Sequence, residues 1–198
     1  MLQACLEGNL AKAKECFEKA KSSVTESDQL GRQPIHLAAQ EGHLNMMQWL
    51  VDKGASPSAP NKLREQPIHI AATNGHMEMI EWLSKQTQNG GVSVTATDAN
   101  GDQPIHCAAG RGHLAAVQFF HWQGAEPTAT NTYLFQPIHF ACGGGYLEVV
   151  RYLVEQGADI TAANGLGEKP ISLARSGAHL DVVAWLEEQG QTAGWDQF

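Results

Sequence analysis

The 198-residue chain carries 13 Lys and Arg against 21 Asp and Glu, a formal net charge of −8, and is 42% apolar. That balance argues against nucleic acid, which rewards basic surfaces, and the apolar fraction is that of a folded chain. No stretch approaches the roughly 18 apolar residues of a membrane span, and the opening MLQACLEGNLAKAKECFEKA lacks the apolar core of a signal peptide.

After this charged opening, one unit recurs. Gln-Pro-Ile-His stands at Gln33–His36, Gln66–His69, Gln103–His106 and Gln136–His139, with a near copy at Lys169-Pro170-Ile171-Ser172. The five prolines are separated by 33, 37, 33 and 33 residues, a spacing typical of stacked supersecondary units. Asp28, Asn61, Asp98, Asn131 and Asn164 keep the same beat before them, and Ala38, Ala71, Ala108, Ala141 and Ala174 after them. Proline at a first helical position fits, because its missing N–H is not needed there. Each unit therefore predicts a short helix, residues 34–40 in the first. Gly42, Gly75, Gly112 or Gly145 then permits a reversal. The second helix, expected over 43–53, carries Leu44, Met47, Trp49, Leu50 and Val51 as a wide apolar stripe. Gly54 ends it, and an extended segment with a turn leads onward. One such unit cannot cover its own apolar face, so neighbours must stack.

Two stretches depart from the beat. The extra residues of the second interval fall within Lys85–Val92, which reads as a longer surface loop. Gly143-Gly144-Gly145 closes a first helix and lacks the strand and the Lys-Ser/Thr of a phosphate-binding loop.

The frame Asp-x-x-Gly-x-x-Pro-Ile-His-x-Ala-Ala-x-x-Gly-His-Leu at Asp28–Leu44 resembles the ankyrin repeat, and it returns at Asn61–Met77, Asp98–Leu114, Asn131–Leu147 and Asn164–Leu180. Ala4–Leu10 matches its helix–turn–helix part. The resemblance implies an all-α solenoid of helix pairs with β-hairpin fingers, about five full repeats plus a truncated N-terminal cap. The expected organisation is one domain over 1–198: a cap at 1–27, repeats at 28–60, 61–97, 98–130 and 131–163, and a C-terminal cap repeat with tail at 164–198. It further implies a protein-interaction module, adaptor or inhibitor, binding a polypeptide on a concave face built from finger tips and first helices. The alternative is a regulatory or substrate-recruiting subunit of a larger enzyme assembly, such as a ubiquitin ligase or kinase complex. A monomeric, intracellular protein of cytoplasm or nucleus is expected, with no nucleic-acid or membrane partner. Where the family usually has Thr before the proline, this chain has Gln, whose amide either bridges neighbouring repeats or faces solvent. Ser58, Thr95, Thr128 and Thr161 stand where the family often has Asn, so asparagine hydroxylation lacks an acceptor there.

Catalysis, a cofactor and a metal site are not expected. His36, His69, His106 and His139, and the second set His43, His76, His113 and His179, follow the period, whereas catalysis needs one convergent cluster. The resemblance assigns the first set to backbone contacts that join repeats. His121 is off-register and expected in solvent. Cys5, Cys16, Cys107 and Cys142 have no metal-ligand spacing and read as reduced thiols, with Cys107 in the core slot of Leu37, Ile70 and Phe140. Trp49, Trp82, Phe119, Tyr152 and Trp185 share one place on the second helices and read as packing. Seven acids from Glu155 onward, against Lys169 and Arg175, suggest a solvated end cap, with a dock for a basic partner as the alternative. Trp195 and Phe198 pack over the last repeat or bind a partner.

Partner contacts are expected at the finger tips, where large apolar residues have no packing role. Leu30, Leu63, Asn100, Tyr133 and Leu166 share one tip position. With Arg32, Arg64, Leu134, Phe135 and the floor residue Arg111 they form the candidate site. Tyr133-Leu134-Phe135 is the strongest cluster, because aromatic anchors dominate binding energy. Arg64 and Leu134 replace the turn glycines Gly31, Gly101 and Gly167, so an unchanged turn forces them to positive φ. Gln40-Glu41, Thr73-Asn74, Gly110-Arg111 and Gly143-Gly144 line the expected floor. The small pair in the fourth unit is expected to leave a groove beneath Tyr133.

Overall fold

The proline at each first-helix start fixes the local geometry. In a computed structural model describing residues 1–19, 23–86 and 92–192 (side chains of 191 and 192 apart), Gln33 is an extended N-cap and Pro34 begins the helix. The backbone N–H of Gln33 donates to His36 Nδ1 at 3.0 Å. The same bond joins Gln66 to His69 at 3.2 Å, Gln103 to His106 at 3.1 Å and Gln136 to His139 at 3.0 Å. Each imidazole thus satisfies one N–H at a helix start, where orphan donors collect.

The chain divides into two units, Met1–Ala99 and Asn100–Phe198. The first contains α1 (Leu2–Leu6), α2 (Leu10–Lys19), α3 (Pro34–Gln40), α4 (Leu44–Asp52), α5 (Pro67–Asn74) and α6 (Met77–Ser84). The second contains α7 (Pro104–Ala109), α8 (Leu114–Trp122), α9 (Pro137–Gly144), α10 (Leu147–Glu155), α11 (Pro170–Ser176) and α12 (Leu180–Thr192). Within the first unit, first helices pack on first helices, α1 on α3 and α3 on α5; within the second, α7 packs on α9 and α9 on α11. Fully buried alanines at these contacts, Ala38, Ala39, Ala71 and Ala72, then Ala108, Ala109 and Ala141, allow the close approach. Second helices supply the larger core side chains: Met46, Met47, Leu50, Ile80 and Leu83, then Val117, Phe120, Val150 and Leu153.

The second helices begin one residue later than the sequence suggests. His43, His76 and His113 are N-caps outside the helix. Released from the helix, His43 Nε2 meets the Leu6 carbonyl at 3.2 Å, His76 the Gln40 carbonyl at 2.9 Å and His179 the Gly143 carbonyl at 3.0 Å. Each ring ties its unit to the first-helix end of the preceding one. It lies so close to the preceding reversal that a Cβ on Gly42 would sit 2.7 Å from His76, and one on Gly145 2.3 Å from His179.

The fingers are tight turns, and no strand is assigned among the described residues; the ladder of a β-hairpin finger is not seen. Of the Lys85–Val92 loop, residues 87–91 lie outside the described residues, as do Trp195 and Phe198.

Candidate interaction surface

Four of the fingers are each built on one side chain. Asp28 Oδ1 accepts the backbone N–H of Leu30 at 2.9 Å and of Arg32 at 2.8 Å. Asn61 does the same for Leu63 and Glu65 at 2.8 and 3.0 Å, Asn131 for Tyr133 and Phe135 at 2.9 Å each, and Asn164 for Leu166 and Glu168 at 2.9 Å each. The other side-chain atom selects its partner by charge. The Asp28 carboxylate takes Arg32 Nε at 2.8 Å, whereas the Asn61 and Asn164 amides donate to Glu65 and Glu168 at 2.7 and 2.9 Å. Asp28 is drawn below its ordinary value: burial pushes it up, but the hydrogen bonds from Arg32 and Leu30 outweigh that.

Successive tips are joined by backbone bonds. The Leu30 carbonyl accepts from Lys62 N–H at 3.1 Å and the Leu63 carbonyl from Ala99 at 2.8 Å. In the second unit Asn100 accepts from Thr132 at 3.0 Å and Tyr133 from Gly165 at 2.8 Å. The acceptors are the tip residues themselves, so their backbones are fixed while their side chains point to solvent. Leu30, Leu63 and Leu134 are more than half exposed, Tyr133 is 61% and Leu166 78% exposed. Arg64 and Leu134 both have φ of 59°. The turn is kept and the strain accepted, since left-handed backbone disfavours a branched side chain.

The remaining candidate residues differ in setting. Arg64, Asn100 and Arg111 are exposed. Arg32 is half-buried, held by Asp28 and by Gln40 Oε1 at 3.2 Å. Phe135 is also half-buried: its ring lies 5.7 Å from His139 and 5.6 Å from Phe140. It props the finger from beneath, and only Tyr133 and Leu134 present themselves at that tip. In the first unit Leu30, Arg32, Gln40, Leu63, Ile70 and Thr73 line a shallow groove of about 230 Å³.

Several expectations need correction. His121 is half-buried, its Nδ1 2.8 Å from the Tyr152 hydroxyl; a polar partner on α10, the following second helix, covers it. Ile70, Cys107 and Phe140 are half-buried, and of that slot only Leu37 is core. The room beside Gly144 is taken by the Tyr146 ring, 2.3 Å from where its Cβ would stand, while Gly143 stays exposed. The four Gln Oε1 atoms face neither solvent nor each other. They are buried without a hydrogen bond among the described residues. Each lies over the N–H of its histidine in capping-box fashion, but that N–H is already committed to the glutamine's own carbonyl, at 2.9 Å for His36.

Three of the first histidine set join repeats through Nε2, while that of His36 is buried without a hydrogen bond among the described residues. His69 Nε2 bonds the Ala96 carbonyl at 2.9 Å, His106 that of Ala129 at 2.9 Å and His139 that of Ala162 at 3.0 Å. With Nδ1 accepting from the glutamine N–H, the proton sits on Nε2. The buried thiols are held protonated: burial pushes Cys5 up to about 11 and Cys142 up to about 12, which makes both poor nucleophiles. Among the described residues no group of three or more His, Cys, Asp or Glu is placed to hold a metal, and no helix is long and apolar enough to cross a membrane.

Two exposed apolar side chains escaped sequence reasoning, Trp122 and Leu180, the latter 76% exposed at the start of α12. Trp122 is 73% exposed at the end of α8. Its signal was present, since the equivalent positions are Asp52, Lys85, Glu155 and Glu188.

Helix pairs stacked by small-residue contacts, with turns bonded tip to tip, define a helical repeat protein of the kind that binds other proteins. Comparison with known families agrees. The family described as Ankyrin repeats (many copies) matches residues 1–51 and 35–83, and that described as Ankyrin repeats (3 copies) matches 88–164 and 105–194. The chain belongs to the ankyrin repeat family, whose repeats are generally protein–protein interaction modules.

Proposed function

We infer that this chain is a non-catalytic module that holds a partner polypeptide, as adaptor or inhibitor, against its finger tips. The observation that carries this reading is the pair Tyr133 and Leu166. Both are large, apolar and mostly exposed, and their fingers are locked together by the 2.8 Å bond from Gly165 N–H to the Tyr133 carbonyl. A rigid backbone presenting apolar side chains binds at a low entropic cost. Leu134 adds a second support. A residue held at φ 59° where other fingers keep glycine gives up stability for the side chain it displays.

The test is quantitative affinity capture from cell extract with the wild type and with Tyr133→Ala/Leu166→Ala. Both substitutions lie on exposed side chains, so the variant keeps its unfolding midpoint. Specific partners are expected to be lost from the variant. Undiminished capture of the same partners would overturn the reading.

A further inference from the structure

The outward positions of a second helix follow an i, i+4, i+7 row, which puts three side chains on one helical face. In α10 these are Glu148, Tyr152 and Glu155, and in α12 Asp181, Trp185 and Glu188. Both rows are aromatic in the middle and acidic at the ends. In α8 the row is Ala115, Phe119 and Trp122. Ala115 and Trp122 are exposed and Phe119 is half-buried. Across Leu114–Trp122 there is no Asp, Glu, Lys or Arg at all. A helix this apolar, with Gln118 and His121 its only polar side chains, is normally enclosed, yet this one leaves a face uncovered.

Charge at the border of that face states what fits it. α10 packs directly against α8, and its exposed Glu148 and Glu155 stand at the same helical positions as Ala115 and Trp122. Arg151, between them, is drawn the other way, its guanidinium 5.8 Å from the Trp185 ring. The apolar stripe therefore has an acidic margin on its α10 side. A second copy of this chain is a poor occupant: each copy brings the same two glutamates and a net charge of −8, so like charges would meet.

We propose that the Ala115–Phe119–Trp122 face of α8 is a second docking surface, separate from the finger tips, for an amphipathic helix of another polypeptide whose apolar side is flanked by Lys or Arg. Trp122 is the anchor and the two glutamates set polarity, a helix-on-groove mode with an aromatic hot spot.

The probe is a synthetic amphipathic helical peptide of Leu and Lys, labelled and titrated by fluorescence anisotropy, with a Leu/Glu peptide of the same pattern as control. The wild type is expected to bind the Leu/Lys peptide and not the Leu/Glu one. Trp122→Ala is expected to weaken binding about tenfold or more. Glu148→Gln/Glu155→Gln should weaken it several-fold and flatten its salt dependence. Tyr133→Ala/Leu166→Ala should leave it unchanged, so this inference and the finger-tip reading fail separately. The proposal is overturned by no measurable binding of the Leu/Lys peptide, by equal binding to Trp122→Ala, or by equal binding of the Leu/Glu peptide. It is equally overturned if sedimentation shows self-association that Trp122→Ala abolishes.

Discussion

Asn131 Nδ2 donates to Asp102 Oδ1 at 2.8 Å, linking two neighbouring fingers of the second unit through side chains. In the fingers of Asn61 and Asn164 the amide finds a glutamate four residues on, within its own turn. Phe135 occupies that place here, so the amide reaches back to the preceding finger instead. Asn131→Asp keeps the oxygen that accepts from Tyr133 and Phe135 but sets a carboxylate against Asp102. A loss of about 1 kcal/mol is expected in urea unfolding, from one part-buried bond replaced by repulsion. Asp102→Asn, added second, should recover most of it. Simple additivity of the two changes would show that the contact carries no coupling.

Leu134 offers a second test. Its φ of 59° costs about 1 kcal/mol relative to glycine, the residue kept at Gly31, Gly101 and Gly167. Leu134→Gly should raise the unfolding midpoint while weakening capture of any partner that reads this tip. Arg64→Gly should behave alike in stability. A Leu134→Gly protein less stable than wild type would mean that the side chain packs at the turn rather than projecting from it.

How much of this was legible in the sequence follows from what sets each feature. Local rules set the repeat: proline at each helix start, alanines at the contacts and glycine at the reversals, so the helices fell within a residue of expectation. Register alone exposed the strain at Arg64 and Leu134, because a turn bonded to its neighbours cannot relax independently. Pairwise contacts across repeats were not legible. His121 meets Tyr152 from a helix 31 positions away, and Tyr146 fills the space beside Gly144. Phe135 looked like part of a tip because its distance from Phe140 is a tertiary fact. Trp122 was readable by comparing equivalent positions, but a stripe of aromatics at helical spacing reads first as core.

Glycines at a reversal and at a second-helix end separate two costs that usually act together. Gly54 has φ of 93° and nothing within 4 Å of where a Cβ would be, whereas Gly42 has φ of 71° with the His76 ring at 2.7 Å. Gly54→Ala should cost about 1 kcal/mol, the backbone term alone. Gly42→Ala adds displacement of a ring bonded to the Gln40 carbonyl, so a loss of roughly 2–4 kcal/mol is expected. Equal losses in thermal unfolding would show that the ring gives way freely.

Acid should loosen the fold before its carboxylates titrate. His36 and His139 lie below the ordinary imidazole value of 6.5, first because burial disfavours the charged ring, with the Ala162 carbonyl opposing only in part at His139. A lowered folded pKa means that the unfolded chain binds the proton more readily. The stability these rings contribute is therefore complete above pH 6.5 and declines as pH falls from there toward the folded values. Protonated Nδ1 would also face the glutamine N–H that it accepts at 3.0 Å in both cases. Glu7 and Asp28, both lowered from starting points of 4.5 and 3.8, act in a separate, more acidic window. Each histidine can contribute a slope of up to about 1.4 kcal/mol per pH unit within its window. His139→Ser, a change the chain tolerates at Ser172 of its last repeat, should lower stability at neutral pH and flatten this slope. An unfolding free energy as steep in the variant as in the wild type between neutrality and pH 5 would remove His139 from the account.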